Sequence, residues 1–191
     1  MQTFTCYHDH AKTAADLDTA RLGKQRVEVL QILRALRGET DGYTFHPAVR
    51  MWEGHEPALL LYGLVICHEW RVKRGHEDKV WHQLEEMSPT YWDPRTPLEN
   101  ERYEAPGWLS NKWVLRSHRS NLIRKAPHHY ADKYPSTPEL MPYLWPRYSL
   151  GGWDMYLSKP DQNRLETGER VLPEGLKAFA TGAVVALDEG E

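Results

Sequence analysis

The sequence predicts a mainly α protein. A compact helical domain spans residues 1–146, and a less regular, acidic C-terminal extension spans residues 147–191. Three observations carry this expectation. Apolar residues recur at helical spacing over about 17–38, 57–74 and 110–125. Gly or Pro punctuates each stretch, at Gly38, Pro57, Gly75 and Pro127. No internal repeat and no convincing pair of strands is visible.

Taken in order, the first strong helix is "LDTARLGKQRVEVLQILRALRGE". Asp16 or Asp18 can cap its start and Gly38 can end it. Leu22, Val29, Leu33 and Leu36 share one face, with Leu30 at its edge. "HPAVRMWEGHE" reads as a short helix opened by Pro47 and broken at Gly54. Residues 57–74 are apolar nearly all round until Glu69, as a central buried helix would be. Residues 77–87 continue as a polar helix. Pro89, Pro94, Pro97 and Pro106 make residues 88–107 a loop. A helix follows from about Ser110 to Lys125, and "HHYADKYP" adds a short turn. Residues 136–175, rich in Pro, Gly and aromatics, read as irregular. Residues 176–187 fit a helix or a strand equally well.

Bulk properties limit the functional classes. The formal net charge is −3, so the chain is no general polycation, yet its charges are unevenly spread. Residues 111–135 hold six Lys or Arg and one acid, whereas residues 160–191 hold three Lys or Arg and seven acids. The first pattern can mark an anion-binding face and the second a solvated tail. Eight Trp and ten Tyr are many for this length; such rings can fill a core, and flat rings also serve as platforms for bases. Two cysteines, Cys6 and Cys67, give no disulfide framework. The start lacks a basic region followed by an apolar run, and "ALLLYGLVIC" is too short to cross a bilayer. The expectation is a soluble, reduced, cytoplasmic monomer.

Two helix faces carry candidate chemistry. At 100° per residue, Arg21, Gln25, Glu28 and Ile32 fall along one stripe of the first helix. Arg26 sits beside Leu22, Leu30 and Leu33, where a guanidinium must be paired with an acid or face a cleft. In the cleft alternative, Arg21, Lys24 and Arg26 meet phosphates and Glu28 or Gln25 faces the chemistry. On the late helix, Lys112, Arg116 and Arg119 form a cationic stripe opposite Val114, Leu115 and Leu122. Such a helix can lie along a phosphate backbone, although a plain solvated face has the same pattern. His118 falls on the apolar side and reads as a buried, satisfied histidine. Ten histidines raise the question of metal, but none is paired at i, i+4 and no cysteine pair supports a site. No metal or other cofactor is expected. Neither a phosphate-cradling Gly-rich loop nor a G-x-S-x-G elbow is present.

"LDTARLGKQRVEVLQILRAL", "HPAVRMWEGHEPALLLYG" and "SHRSNLIRKAPHHYADKYP" together resemble the pyrimidine dimer DNA glycosylase (phage endonuclease V) family, and more closely its branch in actinobacteria and their phages. The resemblance covers roughly residues 1–146. It implies an endonuclease V-like helical fold and a DNA glycosylase with abasic-site lyase activity on damaged or modified pyrimidines. The founding enzyme attacks with an α-amine at its chain start and moves protons with a glutamate on the early helix. Carried onto this sequence, Met1 and Glu28 become the catalytic pair. Arg21, Lys24, Arg26, Lys112, Arg116, Arg119, Arg124 and Lys125 become contacts to DNA phosphate. Gln25, His46, Trp52, His118 and Asn121 become candidates on the side of the base, with Trp52, Trp108 and Trp113 able to fill space vacated by a flipped nucleotide.

That chemistry suits these residue types. An α-amine has an unperturbed pKa of about 7.7–8.0, so a fair fraction is neutral and nucleophilic near neutral pH. It attacks the anomeric carbon, expels the base and leaves an imine, and a carboxylate then shuttles protons for strand-breaking β-elimination. Two positions depart from the family. Gln2 is a large second residue, which opposes removal of the initiator, so the amine is expected to be that of Met1. Alignment on the Arg26-Val27 pair puts Gly23 where the family has its glutamate, and Glu28 is the nearest carboxylate on a suitable stripe. The alternative is a protein that binds nucleic acid or a nucleotide on the same scaffold without cutting it. In both cases the expected partner is DNA or a nucleotide, not a membrane.

Overall fold

The computed structural model describes residues 1–91, 104–149 and 152–187. It forms two units, Met1–Pro106 and Gly107–Glu191. Residue 146, the expected end of the helical domain, lies inside a β-strand of the second unit.

The first unit is helical. α1 (His10–Asp16) starts at Asp9, whose Oδ1 accepts from the Ala11 and Lys12 amides at 2.8 and 3.1 Å. α2 (Thr19–Leu36) is capped by Asp18, which accepts from the Arg21 amide at 3.0 Å. It ends at Gly38, whose φ of 69° supplies the left-handed stop. α3 (Pro47–Arg50) begins with His46, whose Nδ1 accepts from the Ala48 amide at 3.1 Å. α4 (Glu56–His68) runs into a single wider π-turn, Glu69–Lys73, so the helix expected over 57–74 loses α geometry in its last turn. α5 spans Lys79–Tyr91, so the loop expected from residue 88 begins later; residues 92–103 lie outside the described residues.

α2, α4 and α5 pack on one another, and Leu22, Val29, Ile32, Leu33, Leu59, Leu60, Ile66 and Leu84 are all fully buried. Gly63 makes the close approach possible. A Cβ there would stand 2.6 Å from Val29 Cγ1 on α2 and 3.0 Å from Leu84 Cδ1 on α5. Residues 3–6 precede α1 and are buried. Phe4 donates its amide to Gln25 Oε1 at 2.7 Å, and Gln25 Nε2 returns a bond to Gln2 O at 2.9 Å, which lays the start of the chain along α2.

The second unit opens with a 3₁₀ turn, Gly107–Ser110. α6 (Lys112–Lys125) follows, with Asn111 capping Trp113 and Val114, and then α7 (Pro127–Tyr130). The remainder is more regular than its sequence. β1 (Trp145–Ser149) pairs antiparallel with β2 (Gly152–Tyr156), α8 spans Lys159–Glu166, and β3 (Leu176–Ala178) pairs with β4 (Ala183–Ala186). The sheet order is β1-β2-β4-β3. The irregular reading of 136–175 is therefore corrected, and the open one of 176–187 resolves to strands. Strands of three to five residues are too short to display a period of two, and β1 buries two successive residues, Trp145 and Pro146, instead of alternating. No helix among the described residues is long and apolar enough to cross a membrane.

Candidate active site

The start of the chain meets α2 at Glu28. The Met1 amine stands 4.0 Å from Glu28 Oε2, and the Gln2 amide donates to the same oxygen at 3.2 Å. The Met1 and Glu28 side chains are only 5% and 6% exposed. Lys24, one helical turn before Glu28, brings Nζ to 3.5 Å from the other carboxylate oxygen while remaining 72% exposed. Helical spacing accounts for this: residues 24 and 28 share a face, and residue 25 lies beside them. The carboxylate thus sits at the foot of an exposed ammonium and within reach of an α-amine.

Gln25 holds the approach in place. Its Oε1 accepts from the Phe4 amide and lies 2.8 Å from the Tyr62 hydroxyl, which is also 2.7 Å from Phe4 O. Gln25 is 2% exposed, so in this structure it braces the chain start. Burial pushes the Tyr62 hydroxyl well above its ordinary value, which keeps it a neutral donor. Trp52, another residue expected near the base, is fully buried; its indole N–H donates to Thr3 Oγ1 at 2.9 Å, so the ring has no open face. His46 is near enough to the amine and to Glu28 to feel both. Burial lowers its pKa most, the α-ammonium lowers it further, and Glu28 opposes them.

The cations of α2 have separate fates. Arg21 turns back to its own cap, 3.1 Å from Asp18 Oδ2. Arg26 pairs with Asp78 Oδ1, a partner no pattern in the sequence singled out, and its guanidinium lies over the Trp70 ring at 4.3 Å. Asp78 also caps α5 through the Val80 amide at 2.9 Å. The pairing alternative for Arg26 is thus the one the structure contains. Trp70 explains Gly23 as well: a Cβ at residue 23 would stand 3.2 Å from the indole ring, so the indole occupies the space beside it.

In the second unit the stripe of α6 faces outward. Arg116 Nη2 donates to Ser136 O at 2.8 Å and its guanidinium lies over Trp113 at 5.3 Å; Arg119 lies over Tyr134 at 5.6 Å. Lys112 and Lys125 are exposed. Arg124 donates to Asn121 Oδ1. His118 and Asn121 are fully buried, His118 edge-on to Tyr143 at 6.2 Å and Asn121 donating to Ser117 O at 2.7 Å. Trp108 and Trp113 are buried as well. Of the residues expected at the site, the first unit therefore gathers Met1, Lys24, Gln25, Glu28 and His46. Thr3, Tyr62, Trp70 and Asp78 were missed, because their roles come from pairings across 20 or more residues of chain. Among the described residues, no three His, Cys, Asp or Glu side chains gather closely enough to hold a metal ion.

An α-amine beside a buried carboxylate is the equipment of imine-forming chemistry, in which one group attacks carbon and the other carries protons. Residues 1–83 match the sequence model of a family described as pyrimidine dimer DNA glycosylase, so this part of the chain is similar to that family. No curated protein and no solved structure matches.

Proposed function

We propose that the protein is a DNA glycosylase acting on damaged or modified pyrimidines, with abasic-site lyase activity. The observation that carries this reading is the 4.0 Å approach of the Met1 amine to Glu28 Oε2, within the segment similar to the glycosylase family. The neutral amine attacks C1′ of the damaged nucleotide. The C1′–N bond breaks, the base leaves with a proton, and ring opening gives an imine between Met1 and C1′. Glu28 takes the C2′ proton, the 3′ phosphate leaves by β-elimination, and water hydrolyses the imine. Lys24, exposed and held at Glu28, is suited to meet a phosphate flanking the lesion. Tyr43 and Phe45, 68% and 82% exposed in the turn leading to His46, offer the nearby ring surface that Trp52 does not.

Borohydride reduction in the presence of abasic-site DNA tests the reading. The wild-type chain should yield a covalent adduct whose DNA-linked peptide contains Met1. Glu28→Gln should bind the same DNA and lose at least about a hundredfold in strand cleavage, the range usual for loss of a general acid–base. Full cleavage by that variant would reject Glu28.

A second reading rests on Gly23. With glycine at the residue aligned with the family's glutamate, and the Trp70 indole 3.2 Å from where its Cβ would stand, the scaffold could hold nucleic acid or a nucleotide without cutting it. Tight DNA binding with no adduct and no cleavage would decide for it.

A further inference from the structure

The C-terminal extension reads from sequence as an acidic, solvated tail. Its structure contains something different: two of its five cations, Arg164 and Arg170, act on Arg124 near the C-terminal end of α6. α8 carries Arg164, and the turn after it carries Arg170, whose amide donates to Arg164 O at 3.0 Å. The next amide, Val171, donates to Leu140 O at 2.8 Å, which fastens this turn to the segment after α7. Arg124, near the end of α6, is the third member. Its Nη2 is used by Asn121, but its Nη1 is buried with no hydrogen-bond partner.

Charge is not balanced there. Among the described residues, the one carboxylate within ion-pair distance of these three guanidiniums is Asp161, and it is already engaged: it accepts from Ser158 Oγ at 2.5 Å and from the Trp145 indole at 3.3 Å, and it stands 3.6 Å from Arg164. Among the described residues, no carboxylate lies within ion-pair distance of Arg124 or Arg170. Burial lowers the Arg124 pKa most, and the charges of Arg170 and Arg164 lower it further, against Tyr143 and Asp161. The Tyr143 hydroxyl is buried beside the same three charges, and burial raises its pKa, so it stays protonated. A buried guanidinium N–H without an acceptor is costly, and like charges nearby add to the cost. An anion with several acceptor oxygens relieves both, and planar guanidiniums grip phosphate in particular.

We propose that Arg124, Arg164 and Arg170 form a phosphate-binding site, and that its ligand is a backbone phosphate of nucleic acid. The extension thereby supplies part of the nucleic-acid grip. The proposal rests on the nucleic-acid reading above but not on its chemistry.

The test compares the full-length wild type with Arg164→Gln/Arg170→Gln and the charge-keeping Arg164→Lys/Arg170→Lys, with Lys177→Gln on β3 as a charge control. Binding of a short fluorescein-labelled DNA duplex is measured over a range of salt. Removing the two charges should weaken binding about tenfold at low salt. It should also flatten log K against log salt by roughly 0.9, the slope that one neutralised phosphate contributes. The lysine pair should keep most of the slope, and Lys177→Gln should match wild type. Circular dichroism identifies any variant that has not folded, in which case Arg170→Gln alone, read the same way, decides. An unchanged slope in the glutamine variant, or no DNA binding by wild type, overturns the proposal. Inorganic phosphate raising the melting temperature of wild type alone, with the DNA slope unchanged, would assign the site to a free phosphate ester and equally overturn the backbone claim. Glycosylase chemistry is read separately: loss of the borohydride adduct with the salt effect intact removes the enzyme and leaves this site.

Discussion

Arg26 shows how a single residue can mislead a reader of sequence. Its place on the apolar stripe of α2 calls for a paired acid or a phosphate-lined cleft, and the structure contains the acid, Asp78, 52 residues further on. The Asp78 side chain is fully buried and that of Arg26 is 13% exposed. Replacing Asp78 by Asn keeps a capping oxygen for α5 but strands a guanidinium among apolar groups. Asp78→Asn should therefore lose about 3 kcal/mol of stability, as removal of one partner of a buried pair does, in urea unfolding followed by circular dichroism. Cys67 reports on the same spot: burial, then the charge of Asp78 and its hydrogen bond, push the thiol well above its ordinary value, so it stays protonated. Glu28 was legible because it shares a helix with Lys24 and Gln25, and helical geometry relates those three directly. Asp78 was not, since nothing local marks residue 78 as the neighbour of residue 26.

At the scale of elements, Gly63 sets how near α4 comes to α2 and α5. Gly63→Ala inserts a methyl 2.6 Å from Val29 Cγ1 in a place with no slack. It should cost about 1–3 kcal/mol, the usual range for overpacking, seen as a lower urea midpoint with little change in slope. Val29→Ala in the same chain should restore part of the loss, because the clash is with that side chain. The long helices were legible, since α2 and α6 each run three turns or more with an apolar face and an Asp or Asn cap. The sheet was not. Its strands are short, two of them follow α8, and the pairing of β2 with β4 passes over both α8 and β3 in sequence, so only tertiary contact defines it. Trp70 belongs at this scale too: the π-turn that ends α4 carries its indole, which lies against Gly23 and under Arg26.

For the whole molecule, stability should depend on pH through His10. Burial and the neighbouring His8 lower its pKa from 6.5 to about 4, with Asp9 opposing, and its Nδ1 is buried without a partner. The unfolded chain therefore binds a proton between about pH 6.5 and 4 that the folded chain refuses. Unfolding is favoured as pH falls through that window, and the contribution of neutral His10 is complete above it. The difference corresponds to about 3 kcal/mol, from roughly 1.4 kcal/mol per unit. Urea midpoints from pH 7 to pH 4 should fall accordingly, and His10→Gln should flatten the decline; an equally steep fall in that variant would assign it to other groups.

The way the first residues are laid along α2 has a practical side. The Gln2 amide and the Met1 nitrogen share one oxygen of Glu28, with the rest of the opening stretch pinned by Gln25 and Tyr62. An affinity tag joined upstream of Met1 would turn a free amine into a peptide amide and force extra chain out through a crowded gap. If the proposed amine chemistry holds, material purified that way would fold and look inert. A tag at the opposite terminus, or one cleaved to leave Met1 bare, is the preparation in which absence of activity would mean something.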